Sequence, residues 1–167
     1  FLSDLVIFSD SDWAASANDE RRSRSGTHAT LFGGAIDWKS KIQSTTALSS
    51  TEAEYYAAVQ SSKTALHLRF LLYEIQFGKM RDPLEELHLE AANIQMDNQS
   101  AMKQTEIFDI REASKHIQVR HFWIKEKAKE GAIRYNYVHT ASNKADLHTK
   151  TFTARKTDEL RRLCGMM

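Results

Sequence analysis

The sequence predicts an α/β domain. Three observations point there: three β-rich segments open the chain, a long helical run follows, and strand and helix patterns then alternate to the end. The first segment, Leu5-Val6-Ile7-Phe8, runs into "FSDSDWA" at residues 8–14 and reads as a strand ending near Trp13. The stretch 14–26 is a polar connection carrying Arg21, Arg22 and Arg24. Thr27–Phe32 and Ala35–Lys39 read as strands flanking Gly33-Gly34, a hairpin signal, so the first three strands form an antiparallel meander. Ser50 or Thr51 is the expected cap of a long amphipathic helix that Gly78 stops and whose apolar face covers the sheet. Pro83, the only proline, falls in the linker after it. "ANIQMDN" reads as a short strand ending at Asp97, "NQSAMKQT" opens a short helix, and "ASKHIQVRHFWIKEKAKEG" is a helix closed by Gly131. "AIRYNYV" alternates as a strand, "SNKADLHTK" begins a helix, and "ARKTDELRRLCGMM" forms a terminal one.

The chain of 167 residues is the size of one domain, with 41% hydrophobic and 27% charged residues. No apolar run approaches the roughly 20 residues that a membrane-spanning helix needs. The net charge of +1 says little about partners, so local clusters must be read instead. Cys164 stands alone, which excludes an internal disulfide and a cysteine-based zinc site. With Phe1 first and no signal-peptide pattern, the chain is expected to be a piece of something longer.

Four acids sit where a hard divalent cation would find ligands on rigid elements: Asp10 ending the first strand, Glu54 on the first turn of the long helix, Asp97 ending the fourth strand, and Asp146 opening a late helix. Asp10 and Asp12 would share one side of an extended strand, and two like charges there need a cation between them. Each acid also has a local explanation as a turn or helix cap. Their scatter suits a composite site, because adjacent parallel strands bring their carboxyl ends together.

"FSDSDWA", "DWKSKIQSTTALSSTEAEYYA", "MDNQSA", "KHIQVRHFWIKEKAKEGAIRYNYV" and "NKADLHTK" stand in order. Jointly they resemble the ribonuclease H domain of copia-type LTR retrotransposon polyproteins, from about residue 5 to residue 165. The resemblance implies a ribonuclease H-like fold, a five-stranded mixed sheet with its first three strands antiparallel, flanked by helices. Residues 1–167 would be a single ribonuclease H domain, the C-terminal piece of a longer polyprotein. The family's catalytic acids carry over onto Asp10, Glu54, Asp97 and Asp146, with Glu54 preferred to Glu52 because an aromatic and small residues follow it. The implied chemistry is hydrolysis of the RNA strand of an RNA·DNA hybrid with two Mg²⁺ ions, Mn²⁺ being a possible substitute, leaving 5′-phosphate and 3′-hydroxyl ends. Asp12 is expected to lie beside the ligands or in solvent.

The implied partners are the hybrid and the reverse transcriptase of the same polyprotein, in a cytoplasmic virus-like particle or the nucleus, with no membrane. Ser11, Asn98, Gln99 and Ser100 are placed to contact 2′-hydroxyls across a shallow minor groove. Lys39, Lys41, His116 and Arg120 are the candidate phosphate contacts. His139 occupies the position of a loop histidine that, in related enzymes, assists product release or proton transfer. Two departures stand out: "REAS" precedes "KHI" where the family has a histidine or similar residue, and His148 sits at a position more often apolar. The rival reading is a catalytically weak or inactive domesticated module that binds nucleic acid or protein, since fold does not fix function. A DNA nuclease or integrase of the same fold is the third.

Overall fold

The computed structural model describes residues 2–15, 21–78, 90–106 and 115–165. Pro83 and the "REAS" stretch lie outside them. Five strands, β1 (Leu5–Asp12), β2 (Arg24–Leu31), β3 (Gly34–Ile42), β4 (Ala92–Met96) and β5 (Ile133–Tyr137), form one sheet in the order β3-β2-β1-β4-β5. β1 pairs antiparallel with β2 and β2 with β3, whereas β1–β4 and β4–β5 are parallel. The five-stranded mixed sheet with an antiparallel opening meander is therefore as expected. β2 and β3 reach further than expected, from Arg24 and to Ile42, because the polar residues at their ends still complete the ladder.

The β2–β3 turn falls on Phe32 and Gly33, one residue earlier than the glycine pair predicts. Both residues have positive φ, 51° and 81°, and Leu31 pairs with Gly34, so this is a two-residue turn whose twist matches the flanking strands.

α1 (Ser50–Phe77) lies across the sheet. Ser49, rather than Ser50 or Thr51, is its N-cap: the Ser49 hydroxyl accepts from the Glu52 amide at 3.1 Å. Glu52 reaches back past the cap to accept from the Leu48 amide at 2.7 Å, bracing the chain that enters the helix. Ala53 to Val59 are buried at seven successive positions, so this stretch of α1 has no solvent face. The cause is a second layer: α1 packs on the sheet through Ala65, Leu68 and Leu72, and against α2 (Gln99–Glu106) and α3 (Lys115–Lys129) through Tyr55, Ala58 and Val59. Alanines and serines keep the helix close to its neighbours. Central β1 is buried on both faces, with Leu5 and Ile7 towards α1.

The other face carries Gly26 and His28. Against it lies "KADLH", which forms a 3₁₀ turn, Lys144–His148, instead of the expected α-helix, followed by α4 (Ala154–Leu163). The turn stays short because Asn143 anchors it: its amide donates to the Ser9 carbonyl at 3.0 Å and its oxygen caps Ala145 at 3.2 Å.

Candidate metal centre

Three of the acids converge by backbone geometry. Phe8 pairs with Gln95 across parallel β1 and β4, so two residues further on Asp10 and Asp97 arrive side by side at the carboxyl ends of both strands. Glu54 comes down from the second turn of α1, and its Oε1 accepts the Ser11 amide at 3.3 Å. Ligand oxygens of Asp10, Glu54 and Asp97 all lie within 4.8 Å of one another. Glu52, engaged with the Leu48 amide and accepting the Tyr56 hydroxyl at 3.0 Å, is not part of the group.

Asp146 arrives from the opposite side of the sheet. Its turn can approach because β2 has a glycine at the contact: a Cβ on Gly26 would lie 2.6 Å from Thr149 Cγ2 and 2.8 Å from the Ala145 carbonyl oxygen. Gly26 also pairs directly with Asp10. The bare backbone lets the Thr149 hydroxyl donate to Asp10 Oδ2 and seats Asp146, buried, beside the cluster. Lys150 closes the gap: its ammonium lies 2.8 Å from Asp146 Oδ1 and 3.4 Å from Asp10 Oδ2. It forms no ion pair with Glu54 or Asp97 among the described residues.

Burial and mutual repulsion set the protonation of this group. Burial, reinforced by Asp146 and Asp97 against Lys150 and Thr149, pushes the Asp10 carboxyl up to about 7. Burial, then Asp10 and Asp97, push Glu54 up to about 8, opposed by the Ser11 amide. Burial works against the Lys150 charge, yet Asp10 and Asp146 outweigh it and hold the ammonium above its ordinary range. Hard oxygen donors that close, with two carboxyls reluctant to ionise alone, fit a divalent cation such as Mg²⁺ or Mn²⁺.

The remaining expected residues are spread around this centre. Ser11 is buried under it, with Asp12 half-buried outside. Asn98 caps α2, accepting from the Ala101 amide at 2.9 Å, and Gln99 and Ser100 are exposed on that first turn. Lys39 is engaged with Thr64 at 3.0 Å and Asp37 at 3.5 Å. Lys41 and Arg120 line a polar groove with Gln43, Thr45, Gln60 and Lys63, where the Arg120 guanidinium lies over the Tyr56 ring at 4.9 Å. His116 lies on α3, and its side chain falls outside the described residues. His139 is exposed past β5, its Nδ1 accepting the Ala141 amide at 3.2 Å. The unusual His148 has a partner on the sheet face it packs against, its Nε2 lying 3.0 Å from His28 Nδ1. Burial keeps both rings less basic than usual, with each other and Lys144 adding to the effect on His28, held at about 4.

Sequence reasoning passed over Gly26, Asn143, Thr149 and Lys150. Gly26 closes the stretch read as the polar connection, so its place inside β2 opposite Asp10 emerges only from the strand ladder. The threonine and lysine stood inside the quoted "NKADLHTK" without an assigned part.

No family model matches the chain. It is 34% identical over 162 residues to the retrovirus-related Pol polyprotein from transposon TNT 1-94 of Nicotiana tabacum, covering 97% of this chain and 11% of that protein. It is 32% identical over 148 residues to the Pol polyprotein from transposon RE1 of Arabidopsis thaliana, covering 87% and 9%. The chain thus spans about a tenth of the length of these curated relatives. Among solved structures, the N-terminal RNase H domain of a Mycobacterium tuberculosis protein superposes with a TM-score of 0.58 at 14% identity, covering 95% of this chain and 96% of that one. LC11-RNase H1, solved in complex with an RNA/DNA hybrid, gives 0.55 at 14%, covering 87% and 93%. The chain is a homologue of a segment of the Pol polyproteins of plant transposons and has the ribonuclease H fold.

Proposed function

We propose that this domain is a metal-dependent endoribonuclease that hydrolyses the RNA strand of RNA·DNA hybrids during reverse transcription of a retrotransposon. The observation that carries the reading is the convergence of Asp10, Glu54 and Asp97, from two parallel strand ends and a helix, within 4.8 Å. Asp10, Glu54 and Asp97 would hold one divalent ion, and Asp10 with Asp146 a second. Ions held by these residues would supply Lewis-acid polarisation of the scissile phosphate and stabilisation of the charge on the attacking and departing oxygens. The protein's own part is positioning. The β1–β4 pairing fixes the Asp10 and Asp97 carboxylates, α1 holds Glu54 against the Ser11 amide, and Gly26 admits the turn bearing Asp146. Exposed Gln99 and Ser100, next to Asp97, are positioned to meet 2′-hydroxyls of the RNA strand, and Lys41 and Arg120 in the polar groove to meet phosphates. His139, exposed beyond β5, is assigned a helping part in proton transfer or product release.

The Pol polyprotein relatives support a reverse transcriptase as the natural neighbour of this domain. Tethering to it raises the effective concentration of hybrid. A second reading, a binding module without catalysis, is favoured by the Lys150 ammonium, which already compensates part of the acidic charge.

One assay separates these readings. A labelled hybrid is incubated with the wild type and with Asp97→Asn, with and without Mg²⁺. The expected result is Mg²⁺-dependent fragments with 5′-phosphate and 3′-hydroxyl ends from the wild type alone. Intact RNA in every lane would select the binding module, and equal cutting of duplex DNA would select a DNA nuclease.

A further inference from the structure

Lys150 occupies the place that a cation shared by Asp10 and Asp146 would take. We propose that it is a displaceable resident cation: its ammonium holds the two carboxylates together in the ion-free protein and must swing away before a divalent ion can bind between them. This rests on the metal-dependent reading of the same site.

The geometry carries the argument. The ammonium contacts Asp146 Oδ1 at 2.8 Å and Asp10 Oδ2 at 3.4 Å and, both residues being buried, fills the space between the two carboxylates that a shared ion would enter. Two cations cannot share one pair of oxygens at such distances without strong repulsion in a partly desolvated site. The ammonium and a second ion therefore exclude each other. Within the cluster of Asp10, Glu54 and Asp97, Lys150 pairs only with Asp10 Oδ2 among the described residues, so a first ion that uses Asp10 Oδ1 leaves the lysine in place.

Lys150 is built to leave. Its backbone is pinned, because the Lys150 and Thr149 amides both donate to the Asp146 carbonyl at 3.2 Å. Its side chain is 32% exposed, and a lysine carries its charge on a flexible four-carbon stem. The side chain can rotate into solvent while the turn that seats Asp146 stays in place. An incoming phosphodiester would offer the freed ammonium a new anionic partner.

The test is ion binding by the whole metal-stripped chain. Mn²⁺ is titrated into the wild type and Lys150→Gln and followed by electron paramagnetic resonance of free Mn²⁺. In parallel, the acetylation rate of Lys150 in the wild type is measured by mass spectrometry with and without saturating Mn²⁺. The expected result is one ion bound alike by both proteins, a second bound on the order of tenfold more tightly by the variant, and faster Lys150 acetylation when Mn²⁺ saturates the site. Second-ion affinity that is unchanged or weaker in the variant would overturn the inference while leaving the metal reading intact. Should Lys150→Gln fail to fold, Lys150 acetylation in the wild type decides, and a rate indifferent to Mn²⁺ sinks the proposal. Absence of any bound ion in either protein removes the metal reading as well.

Discussion

The two sides of the acidic centre handle the same problem differently. On the α1 side, Asp10, Glu54 and Asp97 are crowded with no cation among the described residues paired to the last two, and burial, with repulsion added to it, favours the protonated forms of Asp10 and Glu54. On the α4 side, Asp10 and Asp146 share a lysine that the chain itself supplies. Equal charges packed at similar depth are thus compensated by protons on one side and by a covalently attached cation on the other. The difference teaches that carboxylates gathered for an external ion still need an internal remedy while that ion is absent.

The largest expected effect comes from Asp10, the residue common to both sides. Asp10→Asn should lower hybrid cleavage by about a thousandfold or more, roughly 4 kcal/mol in the barrier, and abolish Mn²⁺ binding on both sides. Residual ion binding would mean that the sides are independent.

A pH series sharpens the contrast. Asp10 and Glu54 bind their protons more tightly folded, at about 7 and about 8, than at their ordinary values of 3.8 and 4.5. Their contribution to stability is therefore fully present below about 4 and is lost as pH rises through about 8, by up to about 1.4 kcal/mol per pH unit for each group. Chemical denaturation in EDTA should show stability falling across that window, and Mg²⁺ should restore more of it at pH 8 than at pH 5. A flat profile would remove proton compensation as the remedy on the α1 side.

Gly26→Ala attacks the α4 side alone. The added methyl meets backbone oxygen at 2.8 Å, so the 144–148 turn must shift, at a cost of about 1–3 kcal/mol. Thermal denaturation reads that loss, and weakened binding of the second Mn²⁺ with the first retained would locate it. The smallest effect is expected at Ser49→Ala, which removes the α1 cap next to the Glu54 turn and should cost about 1 kcal/mol with ion binding unchanged.

Much of this molecule is written locally. Side-chain alternation, turn residues and the stop at Gly78 mark the strands and α1, and the four acids stand in readable positions at element ends. Local pattern was less able to say that "KADLH" is a 3₁₀ turn, since helix propensity does not register the Asn143 anchor to Ser9, 134 residues away. Nor does pattern register that α1 is buried on two sides, which depends on α3 folding back across it.

The sequence by itself determined the order of elements and the antiparallel opening, because periodicity and element ends are properties of neighbouring residues, while the choice of Glu54 over Glu52 came from the resemblance to ribonucleases H. Only the tertiary structure decided that Lys150 reaches Asp10 and that Gly26 makes room for the turn ending at Thr149. Those relations join residues more than a hundred positions apart, and short-range pattern carries no information about which distant charge will fill a buried gap.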